Sequence, residues 1–90
     1  MSIDFAARRV AVDDTEVALT RKEYELLAAL AQRPGEVVTR EQLLAQIWHT
    51  TWAGNLHTIE VHIASLRAKL GDASLVQTVR GVGYRLRTTA

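Results

Sequence analysis

Ninety residues, close to half of them apolar, are enough for one domain that buries its own core and too few for two. Without cysteine there is no disulfide framework and no thiolate metal site, and no apolar run approaches the roughly 18 residues of a membrane-spanning helix. The net charge of +1 conceals a division: residues 1–60 hold six Lys/Arg against nine Asp/Glu, net −3, whereas residues 61–90 hold five against one, net +4.

Asp4, Arg8 and Arg9 within the first eleven residues argue against a signal peptide, so a cytoplasmic location is expected. Ile3 and Phe5, Val10 and Val12, then Val17 and Leu19 alternate as short antiparallel strands do, with Asp13-Asp14 as a turn, which predicts a sheet within residues 1–19. At Thr20 the period changes. Thr20 and Glu23 form a capping box ahead of Tyr24, Leu27, Leu30 and Ala31, which share a helical face, and Pro34-Gly35 stops this first helix after about Arg33. Residues 36–38 are a candidate short strand. Thr39 and Gln42 repeat the capping box, and Leu43, Leu44, Ile47 and Trp48 are the buried stripe of a second helix ending near Trp48.

Residues 49–55 have no period and read as a loop, with Asn55 as a plausible cap for a third helix. That helix extends to Leu70, closed by Gly71, its core stripe being Ile59, Ile63, Leu66 and Leu70. Strands at Val76–Val79 and 84–87 then form a hairpin turning through Arg80-Gly81-Val82-Gly83. The expected units are a sheet at 1–19, a three-helix core at 20–70 and a hairpin at 76–87.

At about 100° per residue, the third helix should turn Thr58, Val61, Ser65 and Ala68 outward, with His62 and Lys69 on one border, His57 and Ala64 on the other, and Glu60 and Arg67 nearer the core. That face is small, partly apolar and almost free of acid. It suits close approach to a DNA major groove and methyl contacts to thymine, although alanine is also simply a good helix former. Arg80, Arg85 and Arg87 fall within eight residues with no acid among them. Tyr84 and Leu86 alternate with them toward the core, leaving Arg80 free to reach a phosphate or minor groove; the competing reading is a charged edge that discourages strand pairing.

LTRKEYELL at 19–27, TREQLLAQIW at 39–48, TIEVHIASLRAKL at 58–70 and TVRGVGYRL at 78–86 together resemble the C-terminal effector domains of OmpR/PhoB-type response regulators. The resemblance spans nearly the whole chain in order. It implies an α+β winged helix-turn-helix with a four-stranded N-terminal antiparallel sheet, three helices and a C-terminal β-hairpin wing. It further implies a two-component transcriptional regulator that binds double-stranded DNA sequence-specifically, on tandem direct repeats with a second copy head to tail. By position, Thr58, Glu60, Val61, Ala64 and Ser65 would face bases, while His62, Arg67 and Lys69 would lie toward phosphates. Trp48 and His57 would border the backbone, and Thr78 and Arg80 of the wing would meet phosphate and minor groove. The 49–55 loop, with Trp52, would be a candidate contact for RNA polymerase.

Structural alternatives stand beside these roles: Trp48 as a core residue, His62 as a surface cap, Arg67 in an intraprotein ion pair, and Tyr84 as a packing residue. The chain also departs from the pattern. Ala64 and Ser65 stand where several relatives carry arginine, His57 where they tend to have arginine, and Glu60 where they tend to have aspartate. Bidentate reading of guanine from positions 64 and 65 is therefore lost, and binding should lean on the DNA backbone, on shape and on thymine methyls. The family's phosphoacceptor receiver half is not in this sequence, so the chain is either a segment cut at the linker, the favoured expectation, or a regulator that acts alone.

The same fold also serves as a protein-binding module, which is the alternative function. Catalysis is not expected, nor is a cofactor or metal: His49, His57 and His62 form no recognised ligand set, and Gly81-Val82-Gly83 is too short for a phosphate-binding loop and follows no βαβ unit.

Overall fold

The chain opens with three short antiparallel strands, β1 (Ser2–Asp4), β2 (Arg9–Val12) and β3 (Thr15–Val17), paired in that order. A computed structural model describes residues 1–50 and 56–88. Ile3, Val10 and Val17 align across the sheet, with Val10 buried at their centre. Asp13 and Asp14 both take positive φ, 51° and 64°, as a two-residue turn between right-twisted strands requires. Two expectations need correction. Among the described residues this sheet has three strands where the resemblance implies four, because β3 ends at Val17 and the chain is committed to a helix cap by Thr20. Phe5 lies beyond β1 and is 48% exposed, outside the core.

The first helix, α1 (Arg21–Ala31), begins at a complete capping box: Thr20 Oγ1 accepts from the Glu23 amide, and the Glu23 carboxylate accepts from the Thr20 amide. Thr39 and Gln42 form the same reciprocal pair ahead of α2 (Arg40–Leu43). The second helix does not run on as α-helix to Trp48. From Leu44 to Trp48 it widens into a π-helical turn that ends on His49 in the left-handed region, φ 54°. After the loop comes α3 (Leu56–Leu70); the expected Asn55 cap and Trp52 lie outside the described residues.

The predicted short strand is β4 (Val38–Thr39), and it joins β5 (Val76–Val79) and β6 (Gly83–Leu86) in a second antiparallel sheet of order β4-β6-β5. Gly83 is required there, since a Cβ would collide with the carbonyl oxygen of Val38. Leu26, Leu27 and Leu30 of α1, Leu43 of α2, Ile59, Ile63 and Leu66 of α3, and Val76 and Leu86 of the second sheet form one core. Each such side chain gains about 1.5–3 kcal/mol from burial. With α1 and α2 packed behind α3 and the β5–β6 hairpin beside it, the architecture is a winged helix-turn-helix. None of the described helices is long and apolar enough to cross a membrane.

Candidate nucleic-acid interface

The core stripe of α3 is the one that periodicity predicts, but two residues expected on its outward face are not fully exposed. His57, Glu60, Val61, Ala64 and Ala68 are exposed, whereas Thr58 and Ser65, expected outward, are half-buried. A buried carboxylate accounts for Ser65. Glu23 is 3% exposed and accepts hydrogen bonds from the Thr20 amide at 2.8 Å, from Ser65 Oγ at 2.5 Å and from Lys69 Nζ at 2.7 Å. Burial pushes its pKa up, but the hydrogen bonds from Lys69, Ser65 and the Thr20 amide outweigh this and lower it from 4.5 to about 2. Ser65 and Lys69, one helical turn apart, thus both bond to Glu23 of α1, a contact that residue spacing did not show, while Lys69 remains exposed.

Arg67 makes no ion pair among the described residues. Its Nε donates to the Val76 carbonyl at 2.9 Å and a terminal nitrogen donates to Thr78 Oγ1 at 2.7 Å, so the guanidinium ties α3 to β5. Because the Thr78 oxygen accepts from Arg67, the hydroxyl hydrogen of this exposed residue is free to be donated outward. The wing arginines separate clearly. Arg85 donates to Gln77, and Arg87 binds Ser74 and Asp72. Arg80, exposed at the turn closed by Val82 N to Val79 O, has no hydrogen bond or ion pair among the described residues.

Trp48 is half-buried and packs against the core, as the structural alternative expects. Its ring meets His62 edge-on at 5.1 Å between centroids, with Lys22 Nζ at 5.4 Å over the indole. Lys22 also donates to the Ile47 carbonyl at 2.6 Å, capping the π-helical turn. His62 Nδ1 lies 2.8 Å from the Thr58 carbonyl, which can only accept, so Nδ1 carries the hydrogen and Nε2 stays available. His57, at the head of the exposed line, places Nδ1 3.6 Å from Glu60 Oε2.

Sequence reasoning missed Arg40. It occupies the first position of α2, it is half-buried, and its Nε has no partner among the described residues. A cation there opposes the helix dipole, so the position needs a reason other than helix stability, and that is the signal that was available. Burial first and then the charge of Glu60 raise the pKa of Tyr84, against the opposing charges of Arg67 and Arg40. Tyr84 is 5% exposed, a packing residue as expected. Among the described residues no three metal-ligating side chains come together. What α3 and the wing present instead are the exposed His57, Glu60, Val61, Ala64 and Ala68 of the helix and the exposed Thr78 and Arg80 of the wing.

Comparison with known proteins agrees with this geometry. A family described as "Transcriptional regulatory protein, C terminal" matches residues 14–86. The chain is 48% identical over 90 aligned residues to the transcriptional regulatory protein SrrA of Staphylococcus aureus; the match covers 94% of this chain and 37% of SrrA. Among solved structures it resembles the DNA-binding domain of Klebsiella pneumoniae RstA in complex with the RstA box, with a TM-score of 0.87 and 31% identity over 94% of this chain and 88% of that one. It also resembles the Thermotoga maritima response regulator DrrB, an OmpR/PhoB homologue, with a TM-score of 0.85 and 30% identity over 96% of this chain and 41% of DrrB.

Proposed function

Since the chain belongs to the C-terminal domain family of OmpR/PhoB-type transcriptional regulatory proteins, we propose that it binds double-stranded DNA as the output domain of a two-component regulator. The observation that carries this reading is the Arg67 bridge, which joins α3 and β5 into one surface exposing His57, Val61 and Ala64 on the helix and Thr78 and Arg80 on the wing. The helix enters the major groove with Val61 and Ala64 against base edges. Trp48, Thr58 and His62 line one wall of the interface beside the phosphates, and Arg40 and the Thr78 hydroxyl serve the other. Arg80 reaches the minor groove. Ser65 and Lys69 act indirectly, by holding α3 against Glu23.

The finer partners belong to the same proposal. Two copies sit head to tail on tandem direct repeats about one helical turn apart, and the 49–55 loop meets RNA polymerase. Because the chain spans 37% of the length of SrrA, the activity of a whole regulator is likewise part of the proposal.

A polarisation titration against a random-sequence duplex pool at several salt concentrations tests the reading. Three to five neutralised phosphates give a slope of log affinity against log salt of about −3 to −4. A protein-binding module has no such dependence on duplex DNA, and affinity that stays flat from low to physiological salt contradicts groove binding.

A further inference from the structure

Along the outward line of α3, among the described residues, only His57 and Glu60 carry hydrogen-bonding side chains; Val61, Ala64 and Ala68 have none. Glu60 keeps 56% of its side chain accessible, and its neighbour at 3.6 Å is the His57 ring, itself 83% exposed. The carboxylate is therefore not consumed inside the protein, as that of Glu23 is by Lys69. An ionised acid on a surface that meets a polyanion is repelled unless a donor receives it.

The base edges of the major groove differ in whether they offer one. Guanine shows two acceptors, and thymine an acceptor and a methyl group, so neither receives a carboxylate. Adenine sets its N7 acceptor beside its N6 amine, whereas cytosine shows the N4 amine alone. We propose that Glu60, with His57 holding it along the helix, determines specificity by accepting a hydrogen bond from the N4 amine of a cytosine in the major groove. This rests on the DNA-binding reading above. With Val61 as the next side chain in the groove, the half-site pairs this cytosine with a neighbouring thymine methyl.

Site selection from a random duplex pool with wild type, Glu60→Gln and Glu60→Ala tests the assignment, each variant being checked for an unchanged circular dichroism melt. Wild type selects cytosine at one position of each half-site, and replacing that C·G pair by T·A weakens binding roughly ten-fold or more. Glu60→Gln moves the preference to adenine, whose N7 and N6 match a side-chain amide that both donates and accepts. Glu60→Ala loses discrimination at that position, since the methyl side chain neither donates nor accepts. Selection of no cytosine, or a cytosine preference that survives both substitutions, overturns the assignment but leaves DNA binding standing. Failure of wild type to bind any duplex overturns both.

Discussion

Ser65 on α3 donates its hydroxyl to Glu23 on α1 at 2.5 Å, across 42 residues of sequence. That bond, with the one from Lys69, ties α3 to α1 beside the apolar stripe that sets which side of the helix faces out. Ser65→Glu therefore does more than repel DNA: it places a second carboxylate against a buried one and lowers stability itself. Ser65→Ala removes one of the donors to Glu23 and costs about 1–3 kcal/mol, or roughly 4–8 °C in Tm per kcal/mol for a domain of this size. Thermal melts of the two variants, with Glu the worse, check the role; a Ser65→Glu protein that melts like wild type contradicts it.

The same site sets the acid limit of stability. The pKa of Glu23 is about 2 in the folded chain against 4.5 as a free side chain, so the unfolded state binds the proton first as the pH falls. The carboxylate thus contributes stability that is complete above about pH 5 and is lost progressively as the pH drops from there toward 2, on the order of 3 kcal/mol in all. Glu23→Gln should be less stable at neutral pH and show a flatter decline over that window. Urea denaturation between pH 2 and 7 measures both; parallel curves for the two proteins contradict the linkage.

Arg67 and Arg80 should separate in their salt dependence. Arg80 is free among the described residues and reaches the nucleic acid directly, so Arg80→Ala should weaken binding by about 1–3 kcal/mol and reduce the salt slope by about one unit. Arg67 spends its donors on Val76 and Thr78, so Arg67→Ala should weaken binding by loosening the wing while leaving the slope nearly unchanged. Arg80→Lys, which keeps the charge but loses the planar fork, should retain the slope and only part of the affinity. Equal slopes for Arg67→Ala and Arg80→Ala would falsify this division.

What the sequence made legible were the features enforced locally. Both capping boxes are chains of neighbours, and the core stripe of α3 follows from period alone, so Thr20, Thr39, Ile59, Ile63, Leu66 and Leu70 all stand where residue spacing puts them. The features that were not legible depend on partners distant in the chain. Nothing near Ser65 announces that Glu23 will be buried beside it, so the partial burial of Ser65 could not be read from α3 alone. Arg67 looks like a surface cation until β5 is folded against it. The π-helical turn at Leu44–Trp48 has no sequence mark either, since its apolar spacing also fits an α-helix. Arg40 was the one missed residue with a local signal, a cation at a helix start.

An amide-resolved NMR titration of the chain with duplex DNA tests the central claim most directly. The account predicts that the shifts concentrate at His57, Val61 and Ala64 of α3 and at Thr78 to Gly81 of the wing, while Ser2–Asp4 and Thr15–Val17 of the N-terminal sheet stay in place. Shifts that cluster on the N-terminal strands and spare α3 and the Arg80 turn would contradict it.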